Sequence, residues 1–307
     1  METEQTAEDV FHLLSDEIRV DILREVARAR YDEIPIVTPG LSFSELYGRV
    51  DVDNTSKFSY HLGELTGTFL RKHEDRYRFT HAGEQMVRFI LAENYLHPSD
   101  FQAIETDGSC LQCGTAALQA VPHDQYFMIQ CTACESPAFT YKLTPAQVRG
   151  HTGTDLIDTV IWEQASDFLK MRQDVCPDCA GNMETEIRDL SGEPEAERLP
   201  TSLVTLSECQ QCLRFMSVPI THAAAYHPES IVFHWKRGLD ILATGVWEFH
   251  ENLHTEQWTA DHVDGPTGSY KVEFQHDSSS LRLYLDETAV VTKSERVRGK
   301  DHSASRS

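Results

Sequence analysis

The sequence predicts an α+β chain: an N-terminal winged helix-turn-helix domain, two four-cysteine zinc-ribbon-like modules, then a C-terminal helix plus β-meander. Three observations predict it. Residues 7–96 carry apolar positions at helical spacing, interrupted once by a short alternating hairpin pattern. All eight cysteines fall into four Cys-x-x-Cys pairs. From Tyr270 onward, apolar and polar residues alternate in short runs. The expected boundaries are 1–98 for the first domain, 104–150 for the first cysteine module and 151–220 for a linking helix with the second. Residues 221–297 form an aromatic-rich α+β module, and 298–307 read as a disordered tail.

Taken in order, Phe11 and Leu14 end a first short helix, and Ser15 is placed to cap a second carrying Ile18, Ile22, Leu23 and Val26. Pro35, Pro39 and Gly40 mark a loop. Ser42-x-x-Glu45 is a capping box opening a short helix through Leu46 and Val50. Asp53 or Asn54 caps a helix with Phe58, Leu62 and Leu65 on one face. Phe69–Arg71 and Tyr77–Thr80 flank a polar turn at Glu74-Asp75, a hairpin signal. A helix from about Ala82 to Leu96 ends at His97-Pro98-Ser99. Further on, Tyr126–Gln130 reads as a strand, Asp155–Met171 as a helix, and Ser191–Glu195 as a polar insertion. A helix near Pro228–Arg237 stops at Gly238, and strands follow at Tyr270–Gln275, Leu281–Leu285 and near Ala289–Thr292.

Composition narrows the functional classes. No run approaches the length of a membrane span, and the acidic start lacks the layout of a secretion signal, so a cytoplasmic protein without membrane contact is expected. The formal net charge is -22, from 49 acidic and 27 basic residues. Alone, that balance repels nucleic acid. It also matches a surface adapted to high salt, where the Debye length shrinks to a few ångströms and only local patches decide partners. One such patch exists: between Asn54 and His81, five basic residues stand against three acidic ones, with His61, His73 and His81 as further cations at low pH.

The order helix, helix, helix, helix, hairpin, helix is that of a winged helix-turn-helix, in which one helix enters the major groove and the hairpin reaches the backbone or minor groove. On the helix around Phe58, the polar face presents Ser56, Lys57, Ser59 and Tyr60 as donors for phosphates and base edges. Arg71, Lys72, His73 and Arg76 belong to the wing. A plain amphipathic helix beside a basic hairpin gives the same pattern without function.

Leu13-Leu-Ser-Asp-Glu-Ile-Arg-Val-Asp-Ile-Leu23 resembles the opening of ArsR-like winged-helix regulators. Lys57–Leu65 resembles their recognition helix, and Tyr77-Arg-Phe-Thr-His-Ala-Gly83 their wing exit. The whole chain is similar to haloarchaeal ArsR-like regulators with appended zinc-ribbon modules. The resemblance implies a homodimer binding a promoter palindrome in double-stranded DNA. Metal-sensing members carry cysteines on the helix before the recognition helix; Ser44–Val50 has none, so sensing at that position is not implied.

Two Cys-x-x-Cys knuckles present four thiolates tetrahedrally to one Zn²⁺. Cys110, Cys113, Cys131 and Cys134 form the first set with a 17-residue spacer; Cys176, Cys179, Cys209 and Cys212 form the second with a 29-residue spacer. Four sulfur ligands leave no open position, so two structural Zn²⁺ per chain are expected and no catalysis. Redox-active pairs, an iron–sulfur cluster, a redox-sensing zinc site and cross-pairing of knuckles between modules are the alternatives.

His250-Glu-Asn-Leu-His254 matches the His-Glu-x-x-His pattern of zinc peptidases, with Glu251 as base and Glu273 where a third ligand could lie. Glu273, however, alternates with Val272 and Phe274 as in a strand, and the terminal module has little chain for a cleft. Trp235, Trp247 and Trp258, with Phe233, Phe249 and Tyr284, read as core packing, or else as lining of a ligand pocket or dimer interface. The expectation is a sequence-specific DNA-binding transcription regulator that is not an enzyme. Its alternatives are a zinc-dependent scaffold for protein or RNA and, behind that, a zinc hydrolase; effector and operator are not legible.

Overall fold

The computed structural model describes residues 6–29, 40–98, 100–193, 201–263 and 269–298. Pro35, Pro39, Ser99, the insertion beyond Glu193 and the tail beyond Arg298 lie outside the described residues. The chain divides into two compact units, Met1–His97 and Pro98–Ser307. Both mix helices with antiparallel sheets.

In the first unit, α1 (Ala7–Leu13) starts at a capping box between Thr6 and Asp9. Helix α2 (Glu17–Arg28) is capped by Asp16, not Ser15: the Ser15 hydroxyl donates back to the His12 carbonyl, leaving Asp16 to accept from Ile18 N. Strand β1 (Leu41–Ser42) runs into α3 (Phe43–Tyr47) through the expected Ser42/Glu45 box. Asn54 accepts from Lys57 N to open α4 (Thr55–Leu65). Strands β2 (Leu70–His73) and β3 (Arg76–Phe79) turn at Glu74 and Asp75, both at positive φ, 49° and 62°. Two consecutive positive φ values give the tight turn whose twist matches a hairpin. Helix α5 (His81–Leu91) stops short of the expected Leu96, because Ala92 caps it and Glu93 takes φ 57°. The sheet order is β1-β3-β2.

The core of this unit forms where α2, α4 and the hairpin bury Ile22, Leu23, Leu46, Phe58, Leu62, Leu65 and Phe69. Phe58 meets Phe43 and Tyr47 edge-on, at 5.1 and 5.4 Å between ring centroids. Burying such a ring stabilises by about 1.5–3 kcal/mol. Gly83 is obligatory for closeness: a Cβ there would lie 2.0 Å from the Phe69 carbonyl oxygen, so only glycine lets α5 approach the β2 lead-in.

The second unit holds three sheets. Strands β4 (Ile104–Thr106), β5 (Leu118–His123), β6 (Tyr126–Cys131) and β7 (Pro137–Lys142) pair in sequence order. Helices α6 (Pro145–Gly150) and α7 (Thr154–Met171) follow. Strands β8 (Met183–Asp189), β9 (Leu203–Cys209) and β10 (Phe215–Pro219) form the second sheet. Then come α8 (Ile220–Ala225), α9 (Pro228–Trp235), a 3₁₀ turn at Ile241–Ala243 and α10 (His250–His254). The last sheet has four strands, not three: β11 (Trp258–His262), β12 (Tyr270–His276), β13 (Ser279–Leu285) and β14 (Val291–Arg298). Strand β11 was hidden because only Trp258 in it is buried, so no alternating apolar run announces it.

One apolar core serves this whole unit, with residues from all three stretches that the sequence divides at 150 and 220. Helix α7 is its axle, burying Leu156, Val160, Ala165 and Phe168 at helical spacing. Phe168 stacks on Tyr226 at 4.5 Å, and Trp247 donates Nε1–H to Thr106 Oγ1 at 3.2 Å. Trp247, Trp258, Phe233 and Phe249 are core, whereas Trp235 is 64% exposed.

Candidate metal centres and nucleic-acid interface

Four short loops share one backbone design. In each, the first cysteine's N–H donates to the carbonyl five residues on: Cys110 to Thr115, Cys131 to Ser136, Cys176 to Gly181 and Cys209 to Arg214, at 2.8–3.0 Å. Its carbonyl in turn accepts from the residue after the second cysteine. That residue is left-handed every time: Gly114, Glu135, Ala180 and Leu213, with φ between 59° and 70°. The left-handed step turns the chain so that both thiols of a knuckle point to the same side. Only Gly114 takes that conformation without strain; three other side chains accept it, which is the kind of cost a site imposes.

The knuckles meet in two sets of four, each with all Sγ atoms within 4.8 Å of one another: Cys110, Cys113, Cys131 and Cys134, then Cys176, Cys179, Cys209 and Cys212. Pairing is thus within each set, and knuckles are not exchanged between sets. Across each set the short approaches are 3.6 Å (Cys110–Cys134), 3.7 Å (Cys113–Cys131), 3.6 Å (Cys176–Cys212) and 3.5 Å (Cys179–Cys209). A tetrahedron of sulfurs about 2.3 Å from a central ion has edges of about 3.8 Å, and a disulfide is about 2.05 Å. The spacing fits a metal ion such as zinc and does not fit disulfides; all eight thiols are free. Without an ion, burial pushes the Cys110 thiol up to about 12, while the Thr115 hydroxyl brings Cys113 down to about 6. A bound cation favours thiolate at all four positions.

A charge cluster around one buried carboxylate joins the end of β7 to the second cysteine set, and nothing in the local sequence marks its centre. Asp167, on α7 and 2% exposed, accepts a short hydrogen bond from the Tyr141 hydroxyl at the end of β7. Lys142 Nζ lies 3.3 Å from Asp167 and 3.1 Å from Asp178. Arg214 reaches the same two carboxylates at 3.7 and 3.6 Å. Asp178 sits inside the Cys176/Cys179 knuckle and Arg214 two residues after Cys212, so their places were readable. Asp167, however, stands among ordinary polar positions of an amphipathic helix. Burial, with the neighbouring carboxylate, pushes the Tyr141 phenol far up, keeping it a donor.

On the first unit, α4 packs inward through Phe58, Leu62 and Leu65, and Ser56, Lys57, Ser59 and Tyr60 all lie exposed, Tyr60 by 61%. Gly67 N donates to Leu70 O at 2.7 Å, so the hairpin begins directly where α4 ends. Arg71, Lys72 and His73 are exposed on β2, with Lys72 paired to Asp75 at 3.0 Å. Arg76 is half-buried: it donates from Nε to the Gly40 carbonyl and pairs with Glu45 at 3.3 Å. His61 does not lie on the exposed face; it is buried on α4, with Nδ1 3.5 Å from Asp16.

The His-Glu-x-x-His stretch is not gathered into a ligand set. His250 is buried against His222, at 5.5 Å between rings, while Glu251 and His254 are not part of that contact. Glu273 is tied to Arg282 Nε at 2.9 Å and lies on β12. Among the described residues, the two cysteine quartets are the groups that bring three or more metal-ligating side chains together.

Residues 107–291 match a family described as Domain of unknown function (DUF7351), and residues 7–90 match one described as Domain of unknown function (DUF7347). No curated protein matches the chain, and no solved structure matches it.

Proposed function

The chain belongs to the family described as Domain of unknown function (DUF7351), and we propose that it is a sequence-specific DNA-binding transcription regulator stabilised by two structural zinc ions. The observation that carries the reading is the solvent-facing side of α4, with Ser56, Lys57, Ser59 and Tyr60 clear of the core and a cationic hairpin attached directly to its end. In this reading the first unit is a winged helix-turn-helix, with α3 and α4 as the helix pair and β2–β3 as the wing. Helix α4 enters the major groove; Tyr60 and the serines address base edges and Lys57 a phosphate. Arg71, Lys72 and His73 address the neighbouring backbone, and Arg76 holds the hairpin to Gly40 while adding positive potential.

Zinc fits the quartets because four thiolates form a closed, soft, tetrahedral donor set. Each ion would tie two knuckles that otherwise rest on short strands, so its binding energy contributes to folding. A homodimer is supported by apolar side chains left exposed on the first unit: Phe11 on α1, Phe89 on α5, and Leu96 beyond it. The acidic remainder of the chain repels DNA only at long range; in molar salt the Debye length is about 3 Å, and contacts at the helix and wing survive it.

The test is selection of genomic duplex fragments by zinc-loaded full-length protein in molar potassium chloride. The expected result is enrichment of a common site, with Lys57→Ala weakening binding about tenfold and lowering the salt slope by about 1. Binding of RNA or protein partners with no duplex enrichment would overturn the reading, as would an unchanged Lys57→Ala.

A further inference from the structure

The second unit contains a cleft that neither the metal centres nor the proposed DNA-reading surface uses. It measures about 510 Å³ and opens between β7 and β10, the outer strands of the first and second sheets. Its inner wall comes from α7, α8 and the start of α10. That volume lies in the range of small-molecule sites. Apolar surface dominates: Phe139 and Tyr141 stack at 5.9 Å along β7, with Phe168 and Met216 also in the wall.

Among these apolar groups stand polar atoms with nothing to bind. Gln164 Oε1 and His250 Nδ1 are buried without a hydrogen-bond partner, and their residues are 1% and 5% exposed, whereas His222 is held by the Thr221 hydroxyl and the Val246 backbone. Arg214 Nε also lacks a hydrogen bond, its carboxylate neighbour Asp178 standing 3.6 Å away. All four residues line the same cleft. A buried polar atom without a partner is a costly exception in a folded protein, and such atoms on the lining of one cleft mark it as a candidate binding site.

Charge narrows the occupant. Lys142 and Arg214 line the cleft, and each is paired with Asp167 and Asp178, which do not line it. Burial pushes His222 down to about 3 and His250 well below its usual range, so both rings are neutral. The cleft therefore offers no unpaired charge to a charged ligand. It offers an acceptor at Gln164, a donor at Arg214 and imidazole nitrogens that serve as either.

We propose that this cleft binds an uncharged, planar heteroaromatic molecule carrying both a hydrogen-bond donor and an acceptor, stacked against the aromatic wall and paired with Gln164 and Arg214. The site lies wholly within residues 98–307 and stands independently of the DNA reading. Its partners on the ligand are an N–H for Gln164 Oε1 and a carbonyl or ring nitrogen for Arg214 Nε. A cleft filled only with water would show none of the behaviour expected of such a ligand.

The probe is 2-quinolinone, an uncharged planar lactam, titrated into zinc-loaded full-length protein by calorimetry and ligand-observed magnetic resonance. Naphthalene-2-sulfonate, similar in size but anionic, is the comparison. The expected result is saturable one-to-one binding of the lactam in preference to the sulfonate. Gln164→Met keeps the volume and removes the orphaned acceptor, so it should weaken lactam binding at least about tenfold. The variant also gives up the long Gln164 Nε2 hydrogen bond to the Tyr226 hydroxyl, 3.5 Å, so its melting temperature should move by only a few degrees, which separates loss of a ligand contact from misfolding. No saturation at millimolar lactam, equal affinity in Gln164→Met, or tighter binding of the sulfonate would each overturn the proposal.

Discussion

Replacing Asp167 by alanine tests whether the charge cluster around this buried carboxylate ties β7 to the second cysteine set. The carboxylate is 2% exposed and faces Tyr141, Lys142 and Arg214. Its removal leaves the two cations with Asp178 alone, whose side chain is 41% exposed. Breaking a buried ion pair from one side costs about 3–5 kcal/mol. Lys142 and Arg214 keep 32% and 22% of their own exposure, so water recovers part of that loss. The expectation is the low end, about 3 kcal/mol, or roughly 6–12 °C in melting temperature for a unit of this size. Asp167→Asn keeps an acceptor for Tyr141 and should cost about half as much, about 1.5 kcal/mol. All four tryptophans, Trp162, Trp235, Trp247 and Trp258, lie in the second unit, so tryptophan fluorescence of the full-length, zinc-saturated protein follows that unit. The measurement is made at low and at molar potassium chloride. A buried cluster is screened little, so the difference should persist. A change under about 1 kcal/mol, or one that vanishes in high salt, would mean that the cluster behaves as a surface ion pair and ties nothing together.

Two further expectations follow from the sites. Metal analysis of the purified chain should find two zinc ions, and Cys131→Ser should retain one, with the loss of thiol protection confined to Cys110, Cys113 and Cys134; disulfides in place of metal would contradict this. His234 is buried with both ring nitrogens unpartnered, and burial pushes it down to about 4. Its folded value lies below its unfolded one, so between about pH 6.5 and 4 the unfolded chain gains a proton that the folded chain refuses. Stability should fall by up to about 3 kcal/mol across that window, while His234→Phe should flatten the slope and add about 1–2 kcal/mol at neutral pH. Denaturant unfolding as a function of pH checks it, and parallel slopes for both proteins would dismiss the assignment.

What the sequence disclosed, and what it withheld, follows from where the information is local. Helix starts were legible because capping is a contact over three residues: Ser42 with Glu45 and Asn54 with Lys57 are both made. The hairpin turn was legible because Glu74 and Asp75 are polar residues between alternating runs. The quartets were legible because a knuckle is a fixed spacing, although which knuckles pair is long-range and needed coordinates. Long-range facts stayed hidden. Strands β8 and β11 lack apolar alternation, since METEIRD and WTADH bury one or two side chains each and are specified by their partners in the sheet. Helix α8 spans six residues, too short for a period, and buries Thr221 and His222. Asp167, Gln164 and His222 look like ordinary polar residues until distant elements close over them.

The second cysteine set and the cleft are not separate features, because they share Arg214. Its carbonyl accepts from Cys209 N at 2.8 Å and so closes the knuckle, while its side chain stands in the cleft wall between Asp167 and Asp178. Asp178 belongs to the opposing knuckle of the same quartet. A four-thiolate ion fixes both knuckles to within a few tenths of an ångström, since metal–sulfur bonds tolerate little variation. That rigidity is transmitted to the two groups that orient Arg214, one through its own backbone and one through its counter-charge. With an ion bound, the wall of the cleft would be held by the metal centre as well as by the apolar core. Loss of such an ion would release the orientation of Arg214 before it disturbed α7, which is anchored by Leu156, Val160 and Phe168. A structural metal in this position would define the shape of the proposed binding surface without touching anything bound there.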